Sequence, residues 1–244
     1  MREARDWHCC CSPRQREDAV EFRFFEIWRS EEYLLRLLEG AGFSIALAVA
    51  GGVAGFLLAL ALAASRYFNV PVAAQLATGY VEFIRNTPLI VQLFFVAFGL
   101  PRLLGYVWPF WAHAALALTL NFAAYFAEIL RAGLTAVDKG QKEAGAALGL
   151  GPLAVFRRIV FPQAVAATFP SLSSQFIFLF LTTGIVAEIG VPDLTNAGLY
   201  IDSRTFRSFE VFIVLTAMYV VLALGFKAVL ALIQRQLFAF RHVR

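Results

Sequence analysis

The sequence is short of charge. Only 16% of its 244 residues are Asp, Glu, Lys or Arg, against about 25% in an average soluble domain. Its hydrophobic fraction is 60%, where about 45–50% is usual, and its mean hydropathy is +0.69. Such a composition excludes a disordered chain and argues against a soluble enzyme; at this length one domain is expected. Cysteine is scarce too. Cys9, Cys10 and Cys11 are adjacent and odd in number, which excludes a disulfide framework by spacing. His8 lies next to them, but a polar terminal stretch is better read as free of a metal than as a site, so no metal is expected. Residues 1–40 have no apolar core of a cleavable signal, so insertion is expected to rely on internal segments. A G-x-x-x-x-G-K-[ST] phosphate loop is missing, and any energy for an active process must come from elsewhere. No internal repeat is visible, which removes the main sequence mark of an ion-coupled secondary carrier.

Long apolar runs are what remains. Ala41 to Ser65 is uncharged for 25 residues, enough for a bilayer that needs about 20. Five spans are expected, at about residues 41–65, 73–100, 110–130, 164–188 and 209–233, making an all-α membrane protein. Gly51, Gly52 and Gly55 in the first span allow another helix close, most simply one of this chain. The second span is interrupted by Glu82, Arg85 and Pro88, the last a kink or re-start. Lys227 in the fifth is read as close enough to an end to snorkel. Before the first span, Asp18 to Glu39 mixes Phe22, Phe25, Trp28, Leu35 and Leu38 with charges, and reads as an interfacial helix within a polar segment, 1–40. Residues 1–40 hold seven of the 21 Lys and Arg and nine of the 17 Asp and Glu, leaving the rest at a net +6. Arg131, Lys139, Lys142, Arg157 and Arg158 lie between the third and fourth spans, all but Arg131 in the connection 134–163, and Arg235, Arg241 and Arg244 lie at the end of the chain, the last two in the tail 236–244. By the positive-inside rule these are cytoplasmic, the N-terminus is outside, and the high pI reflects cationic loops and not nucleic-acid binding.

The connection carries the most informative stretch. Asp138 and Gln141 have capping-box spacing, Gly149 suits the left-handed residue that ends a helix, and about ten residues lie between. Ala144, Ala147 and Leu148 fall on one small, smooth face. Gly151-Pro152 starts a second short helix, and Phe161-Pro162 is expected to break it before the fourth span. Spacing leaves two readings open: the first helix docks in a groove of another protein, with Glu143 offered to an arginine there, or it lies on this chain's own spans.

This stretch resembles the "EAA" loop of bacterial ABC-importer permeases: Glu-Ala-Ala, three residues, Gly, nine residues, Ile-x-Leu-Pro. Here it reads Glu143-Ala144-Gly145, three residues, Gly149, nine residues, Ile159-Val160-Phe161-Pro162, departing at Gly145 and Phe161 but keeping both small or apolar. Arg85-Asn86-Thr87-Pro88-Leu89-Ile90-Val91-Gln92-Leu93 is similar to the second-span motif of the polar amino-acid (histidine/glutamine/glutamate type) branch. Asn121, Ala124-Tyr125, Glu128, Arg131 and Gly133 resemble its third span, and Ile189 to Leu194 the end of its fourth. The resemblance covers about residues 33–235. It implies a type I ABC-importer architecture over residues 41–235 in a bacterial inner membrane, and a permease subunit that moves polar amino acids inward by alternating access. It also implies partners: two ATPase subunits that bind ATP and Mg, a second permease, identical or sister, and an extracytoplasmic amino-acid-binding protein. The chain itself would hold no cofactor and catalyse no reaction. The coupling surface implied is Gln141, Glu143, Ala144, Gly145, Ala147, Leu148, Gly149, Ile159 and Pro162. An importer of another small solute, a secondary carrier or a membrane scaffold are the alternatives, and the last leaves the ordered loop unexplained.

Ionisable groups inside a bilayer default to function unless they satisfy each other. Glu128 with Arg131, and Glu82 with Arg85, are three apart and read as structural ion pairs. Glu188 has no basic neighbour one turn away. With Thr182, Thr183, Gly184, Gln92 and Asn121 it makes up the candidate solute pathway. The branch commonly has a lysine where Leu181 stands, so an acid without that lysine suggests that cationic or zwitterionic amino acids are tolerated better than anionic ones. His113 reads as a packed histidine.

Overall fold

The computed structural model describes residues 24–25 and 30–238. Cys9 to Cys11, residues 18–23 and 26–29 of the expected interfacial helix and the last six residues lie outside them. Among the described residues eight helices and no strand occur: α1 Glu31–Tyr67, α2 Ala73–Arg85, α3 Leu89–Leu104, α4 Phe110–Ala136, α5 Lys139–Ala147, α6 Pro152–Ile189, α7 Leu194–Thr205 and α8 Ser208–Leu237. Alanine and leucine supply helix propensity throughout. Glu31 and Glu32 in the first turn of α1 and Arg66 in its last oppose the ends of its dipole.

Helices α1, α4, α6 and α8 are each long and apolar enough to cross a membrane, whereas α2 and α3 qualify only as a pair, bent by 109° between Arg85 and Leu89. The pair starts beside the C-terminal half of α4, where Ala74 and Thr78 share a cavity wall with Arg131 and Leu134. It ends beside the N-terminus of α4, where the Phe98 and Phe110 rings are 5.8 Å apart. Counted as one broken span, it gives five crossings. The kink or re-start expected at Pro88 is a re-start: Pro88 has no N–H and pushes Thr87 out of the helical region, so the helix stops at Arg85 and begins again at Leu89.

At the core is α4. Ala114, Ala117, Leu118, Phe122, Phe126, Ala127 and Leu130 are fully buried against α1, α2 and α6. Gly51 and Gly55 of α1 face Leu118 and the Thr119 carbonyl of α4, so the small-residue stripe serves packing within the chain. Glu31 to Glu39, expected in an interfacial helix, form the first turns of α1 itself. The expected break at Phe161-Pro162 does not occur either. A π-helical turn, Phe156–Val160, precedes Pro162, and a second, Phe95–Gly99, precedes Pro101. Each contains the residue four before the proline, whose carbonyl the ring would strike, so the wider turn lets the helix continue. At the other end α6 tightens into a 3-10 segment, Thr183–Ile189, and α7 folds back on α1. Helix α7 was not read from the sequence, although Asp193 caps it and Leu194, Ala197 and Ile201 make its buried stripe.

Candidate functional site

Two places hold the residues singled out above. The first is α5 and the turn after it. Asp138 accepts a hydrogen bond from the Gly140 N–H at 2.7 Å and caps the helix. Gln141 does not reach back to complete a capping box; its side-chain oxygen accepts from Gln163 at 3.5 Å. Gly149 has φ +76°, the left-handed conformation foreseen for it. Only Gly145 of α5 is buried. A Cβ there would lie 2.7 Å from the Ile159 methyl and 3.1 Å from Val155, so glycine in place of alanine lets α5 sit tightly on α6. Glu143, Ala144, Ala147 and Leu148 are exposed, Leu148 by 80%, and so is Gln141 beside its contact with Gln163. Lys142 turns back, its ammonium 5.4 Å from the Tyr67 ring. Pro162 begins the straight part of α6, below the seat of α5. The reading in which α5 lies buried on its own spans is thus met by one residue, and the small smooth face stays open.

The second place is the break between α2 and α3. Gln92 donates to the Ile84 carbonyl at 2.9 Å, the Thr87 carbonyl at 3.2 Å and the Thr87 hydroxyl at 2.6 Å. Its own oxygen accepts from Asn121 at 2.9 Å. The Gln92 amide thus donates to carbonyls at the break, and Asn121 holds that amide in place. Beside them opens a cavity of about 540 Å³, lined by Arg85, Asn86, Thr87, Asn121, Tyr125, Phe178 and Thr182 among others. Of the expected pathway residues, Thr182 and Asn121 reach this cavity. Thr183 is fully buried and bonds back to the Phe180 carbonyl at 2.7 Å. Gly184 is pressed against Thr195 and Tyr219, which leaves no open channel wall there. Glu188 is exposed at the C-terminal end of α6, apart from the cavity lining. The structure therefore divides a set that the sequence had grouped.

Charges in the spans sort the same way. Glu128 bonds Arg131 through Nε at 3.0 Å, and Arg66 at 3.1 Å, so the expected pair is a triad. Arg66 is 62 residues away in sequence, and no local spacing signals it. Glu82 and Arg85 form no ion pair, a correction to the expectation. Arg85 ends α2, and its guanidinium lies 5.7 Å from the Tyr125 ring, at the cavity, while Glu82 points outward. Arg85, Tyr125 and Phe178 are the cavity residues that sequence reasoning missed; the Arg85 signal was absorbed by an apparent i, i+3 pair. His113 is buried, its Nδ1 3.2 Å from the Pro109 carbonyl, among Tyr106, Trp108 and Phe110.

Just past the end of α6, Asp193 caps α7, accepting from the Asn196 N–H at 2.8 Å. Burial pushes its carboxyl up to about 6, against the lowering effect of the Asn196 and Thr195 N–H groups and the Tyr219 hydroxyl. Ser44 of α1 accepts from the Leu194 N–H at 3.1 Å and ties this corner to the first span.

Comparison with known proteins follows this geometry. Residues 51–239 match the family model described as binding-protein-dependent transport system inner membrane component. The L-cystine transport system permease protein TcyL of Bacillus subtilis is 41% identical over 180 residues, 71% of this chain and 75% of its own. The arginine transport system permease protein ArtQ of the same organism is 36% identical, covering 77% and 86%. The glutamine transport system permease protein GlnP of Escherichia coli is 31% identical, covering 89% and 99%. Among solved structures, a crystal structure of an amino acid ABC transporter with histidines matches with a TM-score of 0.80 at 34% identity, over 89% of this chain and all of that one. The MetNI methionine ABC transporter shares the fold, with a TM-score of 0.73 at 19% identity over 85% and 99%.

Proposed function

The chain belongs to the family of binding-protein-dependent transport system inner membrane components, and from that premise we infer that it is the multi-pass permease subunit of an ATP-driven importer of polar amino acids. It is a transport subunit, working with ATPase and solute-binding partners. The observation that carries the reading is α5, a nine-residue helix seated through Gly145 with Gln141, Glu143, Ala144, Ala147 and Leu148 exposed. A helix so exposed beside a membrane domain is built to be gripped. Two ATPase subunits, one per permease of a pair, take α5 and hold ATP and its magnesium; this chain holds no cofactor. An extracytoplasmic protein delivers the amino acid at the end that carries α7. With α5 cytoplasmic, five crossings place the N-terminus outside and the C-terminus inside the bacterial inner membrane.

Closure of the ATPase pair moves α5, and α6 follows because Ile159 and Val155 are packed on Gly145. Helix α6 also lines the cavity at the α2–α3 break through Phe178 and Thr182. A displacement of the cytoplasmic helix thus reaches the cavity through one rigid rod, and each nucleotide state favours one arrangement by its differential affinity. The cavity supplies a cation, Arg85, two amide or hydroxyl side chains, Asn121 and Thr182, and two aromatic faces, Tyr125 and Phe178. That set suits the α-carboxylate common to all amino acids. The Arg85 charge at the cavity offsets the acid bias suggested by Glu188, so Glu188 acts, if on solute at all, at the outer entrance. The test is reconstitution with the ATPase and binding-protein subunits. Glu143→Lys is expected to abolish solute-stimulated hydrolysis while the chain still inserts, and normal stimulation overturns the coupling role.

A further inference from the structure

Another cavity, of about 300 Å³, lies where α1 turns into α2, away from the α2–α3 break. Arg66 and Tyr67 of α1, Asn69 of the turn, Thr78 of α2, and Arg131 and Thr135 of α4 are on its wall. Two cations line it and no acid does. Glu128 accepts from Arg66 at 3.1 Å on one oxygen and from the Arg131 Nε at 3.0 Å on the other, but it is not part of the lining. One carboxylate against two guanidiniums leaves a positive charge at the wall.

The donors there are not used up. A guanidinium carries five N–H groups. Arg66 gives one of its own to Glu128, and Arg131 gives two. Among the described residues neither guanidinium has a second partner. The Arg66 side chain is only 17% exposed, so its spare donors depend on what fills the cavity. Thr78 and Thr135 spend their hydroxyl protons on carbonyls of their own helices. A third cation, Lys142 of α5, stands 5.4 Å from the Tyr67 ring.

The rim of the cavity is apolar. Phe68, Val70, Val72 and Leu76 are all exposed in the same turn and the start of α2, Leu76 by 69%. Arg66 directly follows the uncharged run from Ala41 to Ser65. Where a run of that length ends, the hydrocarbon of a bilayer gives way to headgroups. A free anion has no use for such a rim. An anion that carries acyl chains does.

We propose that this cavity binds the phosphate of an anionic phospholipid, held by the Arg66 and Arg131 guanidiniums, with its chains against the exposed apolar turn. Arginine forks match the oxygens of a phosphate, and basic pockets between spanning helices suit anionic headgroups. Glu128 is then a positioning residue, which fixes both forks from outside the cavity. The lipid joins α1, α2 and α4 at the corner where Lys142 brings in α5. The proposal requires that the chain crosses a bilayer. It requires nothing of the solute, nor of which face this end occupies.

Native mass spectrometry of the full-length chain, purified with its ATPase and freed of detergent, counts the lipid retained. With phosphatidylglycerol and phosphatidylcholine offered in equal amounts, the parent is expected to keep the anionic lipid at least five-fold over the neutral one. Arg66→Gln is expected to lose that preference. Should Arg66→Gln fail to assemble, Thr135→Glu leaves the triad in place and sets an acid on the cavity wall, and it too should lose the preference. Thr135→Gln, of like size, and Arg235→Gln, at an exposed cation of α8, should keep it. A preference that survives Thr135→Glu, or disappears in Arg235→Gln, means that lipid is held by overall charge and overturns the site. Excess inorganic phosphate should leave the lipid bound; full displacement makes a free anion the ligand and overturns the lipid assignment. The assay uses neither solute nor ATP, so its failure leaves the permease reading standing.

Discussion

At the level of single residues, the amide of Gln92 shows how a polar group in a span is held by hydrogen bonds. It closes three acceptors around the break and is itself held by Asn121. Gln92→Leu keeps the volume, removes the side-chain donor to the Thr87 carbonyl and leaves the Asn121 amide without its acceptor. Leaving a buried polar group unpaired costs about 1–3 kcal/mol, so the purified complex should melt several degrees lower, as thermal unfolding in detergent will report. Sequence reading grouped Gln92 and Asn121 on the pathway; Asn121 lines the cavity and also holds Gln92, a bond between helices that spacing within one span does not show. Glu82 and Arg85 misled. Three-residue spacing puts two side chains on one face of a continuing helix, but α2 ends at Arg85, which turns to Tyr125. Asp193 sets a second prediction. Its carboxyl is raised from 3.8 to about 6 by burial, so the folded state takes up the proton first. The stability it contributes is therefore full below about pH 4 and is lost as pH rises through about 6. Asp193→Asn keeps the capping oxygen and removes the charge. Its melting temperature should vary less between pH 4.5 and 7.5 than the parent's, and should exceed it at pH 7.5. A pH-linked difference of about 2–3 kcal/mol corresponds to a shift of about two pKa units.

At the level of elements, α5 was the best-read part of the chain. Its start at Asp138, its stop at Gly149 and its smooth face all follow from residue chemistry that acts within one or two turns. What stayed hidden was which side rests on α6, because Ala144, Gly145 and Ala147 are alike until Ile159 and Val155 are placed against one of them. The two sides give opposite expectations. Gly145→Leu forces a side chain into Ile159 and Val155, so α5 should lift and solute-stimulated ATP hydrolysis should fall at least ten-fold, with a lowered melting temperature. Leu148→Glu alters a side chain that is 80% exposed, so stability should hold while ATPase co-purification weakens. Equal thermal effects of the two would show that α5 is not seated as described. The π-turns before Pro101 and Pro162 were illegible for a different reason: proline predicts that the regular ladder must yield, and only packing decides between a break, as at Pro88, and a widened turn. Helix α7 was readable from Asp193 and the Leu194, Ala197, Ile201 stripe, but a search for long apolar runs passes over a helix of mixed polarity.

At the level of the whole molecule, the count of crossings decides everything about sidedness, and one bent element decides the count. Apolar length alone gives four spans that need no argument and a fifth that depends on taking α2 and α3 together. Hydropathy made the same assignment from sequence because a window averages over Pro88 without seeing the bend. The contacts along α4 favour a crossing: the pair leaves the level of Arg131 and arrives at that of Phe110. A re-entrant hairpin would instead return Leu103 to the side of Asn69. Single cysteines in a chain with Cys9, Cys10 and Cys11 changed to Ser separate these cases. A membrane-impermeant thiol reagent applied to the outside of intact cells should label Leu103→Cys, in the turn before α4, and Ser203→Cys, in α7. The same reagent should reach Leu148→Cys and Asn69→Cys only in inverted vesicles. Labelling of Leu103→Cys together with Asn69→Cys would reduce the crossings to four, put both termini on one side, and separate the α2–α3 cavity from any path through the bilayer. Labelling of Leu148→Cys from outside would remove α5 from the compartment that holds ATP, and with it the grip by which hydrolysis moves α6.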